Sequence, residues 1–315
     1  MRILIELPSW LGDTVMATPA IENIINHFVD SEISIIGSTT SINIFKYNPK
    51  VFRIIAFKKQ YFSMIKTSMV IGRFDLYFSF RNSTRSSVFK YLISSKKKYQ
   101  FFNMPKNVHL VEKYNNFINM SLNTNYSAGR LQIINKNDFQ TINKTKPLLG
   151  LNPGASYGSA KRWTAYEYAR VAQNLSNFFN IIIFGGDSEK DVAQEVEDLL
   201  IEKKVTNYQN FAGKTNLNEL IFYISCLDLL ITGDSGPMHI AASYQIPTIS
   251  IFGPTRDNET SPWLNQNNII LKRNLKCQPC MQRVCPLGHN DCMNLIKAED
   301  VLYAINSLKL EVLSK

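Results

Sequence analysis

The sequence predicts an α/β protein with two parallel-sheet domains in succession. Three observations carry this reading. Short apolar runs alternate with stretches of helical spacing along nearly the whole chain. One polar segment, residues 121–146, rich in Asn, Thr, Ser and Lys and ending at Lys146-Pro147, interrupts the alternation. Several apolar runs also end in loops rich in Gly, Ser and Asp directly before a helix, where open parallel sheets bind ligands. A length of 315 residues suits two domains, expected at 1–146 and 147–315.

In the first domain, residues 2–7 read as a strand, 8–13 (Pro-Ser-Trp-Leu-Gly-Asp) as a loop, and a helix follows from about Thr14. Asp13 then stands at or just before a helix N-terminus, at the carboxyl end of strand one. It is either a helix cap or a carboxylate facing a ligand. The loop lacks the Gly-x-Gly-x-x-Gly dinucleotide fingerprint. Further strands are expected at 33–36, 51–57 and 74–80, with helices at 39–47 and 60–71. Arg81, Asn82, Ser83 and Arg85 lie in a basic, hydroxyl-rich loop after the last of these strands. They suit an anionic or sugar ligand, or a helix cap and first turn. Lys96, Lys97 and Lys98 read as a solvated turn or, beside Tyr99, Phe101 and Phe102, as a contact to lipid phosphates. His109 starts a helix and reads as structural. A short strand is expected at 131–134 within the linker.

In the second domain, strands are expected at 148–152, 181–184, 227–231 and 247–252, and helices at 164–178, 188–202 and 218–225. The loop from Pro153 to Trp163 is basic and glycine-containing; its backbone N–H groups, Ser156 and Lys161 can hold phosphates. Its spacing is not that of a Walker A loop. The stretch Ile231–Ala242 organises the rest. Ser235 can cap the following helix, Gly236 allows close approach of a ligand, and Pro237 suits the first turn. The exposed N–H groups and dipole there favour an anion, with Asp234 and His239 beside it. An ordinary strand–turn–helix uses the same residue types simply to make the turn.

The net charge of +10 is unevenly spread. Residues 1–146 hold 20 Lys/Arg against 8 Asp/Glu, a balance of +12, while residues 147–315 hold 15 against 17, a balance of −2. The asymmetry points to an anionic partner for the first half, or to a solvated basic surface. No stretch has the uninterrupted apolar length of a membrane span, and Glu6, Pro8 and Gly12 break any signal-peptide pattern, so a cytosolic chain is expected. Cys277, Cys280, Cys285 and Cys292 form C-x2-C-x4-C-x6-C, open to a thiolate metal site, a local disulfide pair or reduced packing.

Taken together, these loops resemble glycosyltransferase family 9, the heptosyltransferases of lipopolysaccharide inner-core synthesis. Pro8 through Met16 is similar to the family's N-terminal loop. Pro153-Gly154-Ala155 through Ala160-Lys161-Arg162-Trp163 is similar to its first C-domain loop, and Gly233 through His239 to its Asp-Ser/Thr-Gly-x-x-His motif. Cys280 through Met293 resembles the tail of the heptosyltransferase II branch. The resemblance implies a GT-B fold: two Rossmann-like domains with parallel sheets facing across a cleft, the first for acceptor and the second for ADP-sugar. The last helix, about 297–310, would pack back toward the first domain.

The implied reaction is an inverting, metal-independent transfer of L-glycero-D-manno-heptose from ADP-heptose to the first heptose of heptosyl-Kdo2–lipid A, with no cofactor. Asp13 would be the base. Ser156, Lys161, Ser235 and Gly236 would hold the diphosphate, Asp234 and His239 the donor sugar side, Thr215 the adenine and Asp187 the ribose. Trp10, Arg81, Asn82, Ser83, Arg85 and Lys97 would meet the acceptor. The same picture implies a monomer, peripheral on the anionic cytoplasmic face of the inner membrane, that binds no nucleic acid. Competing readings are heptosyltransferase I, another GT-B transferase or epimerase, and a basic nucleic-acid or lipid-surface binding protein.

Overall fold

The computed structural model describes residues 1–57, 60–102, 104–135 and 145–308. The chain divides into two units, Met1–Lys136 and Asn137–Lys315. The first runs β1 (Arg2–Glu6), α1 (Leu11–His27), β2 (Glu32–Gly37), α2 (Thr39–Asn43), β3 (Val51–Ala56), α3 (Tyr61–Val70), β4 (Phe74–Ser79), α4 (Thr84–Leu92), β5 (Ser95–Gln100) and α5 (Leu110–Leu122). Its sheet is parallel throughout, in the order β3-β2-β1-β4-β5. The strand order reverses between β1 and β4, where Glu6 pairs with Ser79. Such a reversal opens a crevice at the carboxyl ends of the strands.

The second unit runs β6 (Leu148–Asn152), α6 (Ala165–Leu175), β7 (Asn180–Ile183), α7 (Lys190–Glu202), β8 (Tyr208–Asn210), α8 (Leu217–Ser225), β9 (Leu229–Gly233), α9 (Gly236–Ser243), β10 (Thr248–Phe252), α10 (Asp257–Thr260), β11 (Asn268–Lys272), α11 (Asp291–Asn294) and α12 (Ala298–Ser307). This sheet is also parallel, in the order β11-β10-β9-β6-β7-β8. Its reversal lies between β6 and β9, where Asn152 pairs with Thr232. The strands β6, β9 and β10 are buried along their whole length, as central parallel strands covered on both faces should be. The last helix uses its apolar side within its own unit: Val301, Ala304 and Ile305 join the core under α6.

Several expectations need correction. The helix after strand one begins at Leu11, with Trp10 as its extended N-cap residue, so Asp13 is the third helical residue. Lys96–Lys98 is no turn: it lies in the edge strand β5, where lysines discourage pairing with a further strand and Lys96 reaches Asp75 at 2.6 Å. Residues 131–134 form no strand. Leu131 is buried and the Gln132 N–H donates to Thr18 Oγ1 at 3.0 Å, so this segment is fastened across α1. Residues 121 and 122 of the expected linker belong to α5, and residues 136–144 of it, like 309 and 310 of the expected last helix, lie outside the described residues.

Candidate functional site

In the first unit, polar side chains gather where β1 and β4 end. Glu6 is wholly buried and accepts hydrogen bonds from Tyr77 Oη (2.6 Å), Ser79 Oγ (2.6 Å) and Arg81 Nη1 (3.1 Å). Burial pushes its carboxyl above the ordinary value of 4.5, against the pull of Ser79, Tyr77 and Arg81. A carboxyl with a raised native pKa contributes most below its unfolded value and loses that contribution as the pH climbs through the native one. Glu6→Gln, which cannot titrate, should therefore gain on the wild type in thermal melts as the pH rises from 4.5. A melting-point difference independent of pH would contradict this.

The Arg81 guanidinium is thus held by Glu6, which sequence reading missed, while Gln100 Nε2 donates to Arg81 O (3.3 Å) and Ser86 Oγ (2.9 Å) to fix the loop. Ser83 caps α4 by accepting the Ser86 N–H at 3.2 Å, and Asn82 is exposed beside it. Arg85 turns to the Tyr61 ring of α3, 5.8 Å from its centroid. Lys97 sits in mid-strand opposite Leu76, three residues short of the carboxyl end, so the structure separates it from the other acceptor candidates. Trp10 is half exposed at the start of α1. Asp13 lies in the first turn of α1, at the positive end of its dipole. Its carboxylate acts on the buried Tyr114 hydroxyl, whose pKa is raised first by burial and then by Asp13. Tyr114 belongs to an aromatic wall with Phe80 (5.4 Å) and Phe101 (4.9 Å). His109 caps α5, its Nδ1 accepting the Val111 N–H, as a structural histidine does.

In the second unit, the network at the strand reversal is built on Asn152. Its Nδ2 donates to Thr232 Oγ1 and to Ser235 Oγ, each at 3.1 Å. Ser235 is the N-cap residue of α9, but its hydroxyl lies with Asn152 and Thr232 instead of capping the helix. Pro237 falls in the first turn, as expected. Gly236 opens the helix and His239 is buried within it.

Beside this network is a largely enclosed ion pair. Lys161 Nζ donates to Asp234 Oδ2 (2.6 Å) and Asp234 O (3.0 Å), and Thr255 Oγ1 donates to the same carboxylate oxygen at 2.6 Å. The two charged side chains are only 11% and 7% exposed. Lys161 also lies over the Tyr157 ring at 4.7 Å, with Arg283 near that ring at 5.4 Å. An ammonium has three N–H donors, and two are committed to Asp234. Lys161, expected on phosphate, and Asp234, expected on sugar, hold each other in this structure.

Ser156 Oγ donates to Glu189 Oε1 (3.1 Å), and Glu189 Oε2 accepts the Gly186 N–H at 2.8 Å. A Cβ on Gly154 would stand 2.5 Å from the Glu189 carboxyl carbon, so glycine is needed there. Buried Glu189 therefore knits two of the expected ligand loops together, and sequence reading missed it too. Asp187 is 86% exposed and pairs with Lys190 at 2.8 Å, which lowers its pKa. Thr215 lies in the loop before α8, half-buried.

The cysteine-bearing tail braces the Lys161 loop. The Ala160 N–H donates to Arg283 O (3.0 Å), Tyr157 Oη to Met281 O (2.8 Å), and the Met281 N–H to Pro254 O (2.8 Å). A Cβ on Gly158 would lie 2.2 Å from Arg283 O, closer than any side chain tolerates. Cys277, Cys280, Cys285 and Cys292 are free thiols lining one small cavity with His289 and Ala160. Burial and then the three neighbouring thiols push Cys292 up to about 11. Backbone N–H groups, that of Asn290 foremost, hold Cys285 below its ordinary value. Among the described residues, no three His, Cys, Asp or Glu side chains are arranged to hold a metal ion.

Residues 67–290 match the family described as glycosyltransferase family 9 (heptosyltransferase). The chain is 41% identical over 314 residues to lipooligosaccharide heptosyltransferase 2 of Campylobacter jejuni serotype O:2, covering 98% of both chains. Among solved structures it is similar to ADP-heptose lps heptosyltransferase II of Escherichia coli, with TM-score 0.82, 20% identity and 99% of each chain covered. It is similar as well to a family 9 glycosyl transferase from Veillonella parvula, with TM-score 0.84, 22% identity and 100% and 98% covered. These structures share its fold of two Rossmann-like units with parallel sheets, the GT-B type that the family resemblance implies. With a family match over most of its length and an end-to-end relative at this identity, the chain belongs to glycosyltransferase family 9, the heptosyltransferases.

Proposed function

We propose that the protein transfers L-glycero-D-manno-heptose from ADP-heptose to the first heptose of a lipooligosaccharide inner core, heptosyl-Kdo2–lipid A. The end-to-end likeness to C. jejuni lipooligosaccharide heptosyltransferase 2 carries this reading. The chemistry of the two strand reversals supports it. Asp13, at the start of α1, removes the proton from the acceptor hydroxyl. That oxygen attacks the anomeric carbon, the bond to the diphosphate breaks, and ADP leaves with inversion at that carbon. In the second unit, Lys161 meets the charge that grows on the departing diphosphate, and the backbone N–H groups at Ser235 and Gly236 add to it. Ser156 and His239 complete the donor side, with Thr215 near adenine and Asp187 near ribose.

Asp234, held by Lys161 and Thr255, fixes the ammonium and takes hydrogen bonds from heptose hydroxyls. A fixed cation and a helix start do the work a divalent metal does in other transferases, and the reaction needs neither metal nor cofactor. Trp10, Arg81, Asn82 and Ser83 contact the acceptor. The enzyme acts as a monomer at the cytoplasmic face of the inner membrane, associated peripherally. No described helix is long and apolar enough to cross a membrane.

The test is transfer itself. Purified protein with ADP-heptose is offered heptosyl-Kdo2–lipid A or Kdo2–lipid A, and products are weighed by mass spectrometry. Addition of one heptose to the first acceptor alone is expected; addition only to the second would make the protein heptosyltransferase I. Gly158→Ala, which drives the Lys161 loop off Arg283, should raise KM for ADP-heptose about tenfold, worth roughly 1.4 kcal/mol. An unchanged KM would mean the tail does not set the donor loop.

A further inference from the structure

We propose that α3, the outward side of α4 and the edge strand β5 form a docking surface for an anionic phospholipid bilayer. Of the ten residues of α3, only Met64 is buried. Phe62, Ile65 and Met69 recur at the spacing of one helical stripe, which faces away from Met64. They are 80%, 40% and 77% exposed. A helix of a water-soluble domain normally turns its apolar stripe inward; here the larger stripe faces out. The pattern continues on α4, where Tyr91 is 85% exposed and Val88 38%. The contact of Arg85 with Tyr61 joins the two helices into one surface.

Charge identifies the occupant. From Tyr61 to Gln100 the chain carries eight Lys/Arg and a single acid, Asp75, which is paired with Lys96. Lys66, Arg85 and Lys96 are exposed on the same side of the unit as the apolar stripe. A second copy of the chain would bring the same positive charge to the contact. A bilayer rich in anionic lipid instead offers phosphates to the lysines and an apolar layer to Phe62 and Met69 at the headgroup boundary. This deepens the proposed reading, resting on it for the acceptor's lipid anchor: seating on the bilayer brings the first unit to a sugar fixed at that surface.

The full-length protein is mixed with vesicles of phosphatidylglycerol and phosphatidylethanolamine, or of phosphatidylcholine alone, and floated. The wild type should rise with the anionic vesicles only, less so with added salt. Phe62→Ser/Met69→Ser should partition about tenfold less or weaker still. Phe62→Leu/Met69→Leu should bind like the wild type. Both variants should keep the wild-type circular dichroism and turn over a lipid-free heptosyl acceptor at the wild-type rate. Equal flotation of the Ser variant would overturn the proposal. So would a wild type that fails to float but self-associates in sedimentation through Phe62 and Met69, which would make the occupant a second copy. Vesicle binding without sugar transfer would sink the transfer reading and leave this surface standing; transfer without vesicle binding would do the reverse.

Discussion

Lys161→Ala is expected to lower kcat/KM for ADP-heptose by about 10²–10³-fold, the usual loss when a preorganised charge partner of a leaving group is removed. The melting temperature should fall with it. In the wild type the ammonium is held by Asp234, and in the proposed reaction it also meets the diphosphate. Alanine leaves Asp234, 7% exposed, with Thr255 as its one side-chain partner among the described residues. An orphaned buried carboxylate of this kind costs on the order of 3 kcal/mol. The two effects separate in Lys161→Ala/Asp234→Asn, which removes the stranded charge. Its melting temperature should recover, whereas its affinity for ADP, measured by calorimetry, should stay low because no ammonium meets the diphosphate. Recovery of ADP affinity along with stability would make Lys161 a structural partner of Asp234 and nothing more.

Asp13→Ala should lower kcat by about 10²–10⁴-fold, the range for loss of a positioned general base. Asp13→Asn should do the same, since the amide keeps the shape and takes no proton. ADP-heptose affinity should be unchanged in both, because the groups proposed to hold the donor lie in the second unit. Steady-state kinetics at saturating acceptor reads this directly. A kcat within about tenfold of wild type, roughly 1.4 kcal/mol of barrier, would remove Asp13 as the base.

The buried parallel strands were legible because a strand covered on both faces is largely apolar: Leu148–Asn152, Leu229–Gly233 and Thr248–Phe252 declare themselves in this way. The half-buried strands Tyr208–Asn210 and Asn268–Lys272 lie at the two edges of the sheet; the first has no apolar run and the second only Ile269–Leu271 between polar residues, so they give less signal. The loops at the strand reversals were legible from glycine, serine and aspartate spacing. Their partners were not. Glu6 reads as a polar interruption of an apolar strand, and the residues that satisfy it lie 71, 73 and 75 positions away. The Lys161–Asp234 pair spans 73 positions, and Ser156 and Glu189 lie 33 apart. Such pairs come from strand order, which local composition does not encode. Ser235 shows the converse: a residue ideal for capping by sequence, diverted because Asn152 and Thr232 face it across the strand reversal.

The most direct measurement is ADP release from ADP-heptose, with and without heptosyl-Kdo2–lipid A, for the wild type and Asp13→Ala. Release that requires the acceptor in the wild type and is lost in the variant, with donor still bound, is the expected result. Release that ignores the acceptor, or persists in the variant at the wild-type rate, would contradict heptosyl transfer driven by Asp13.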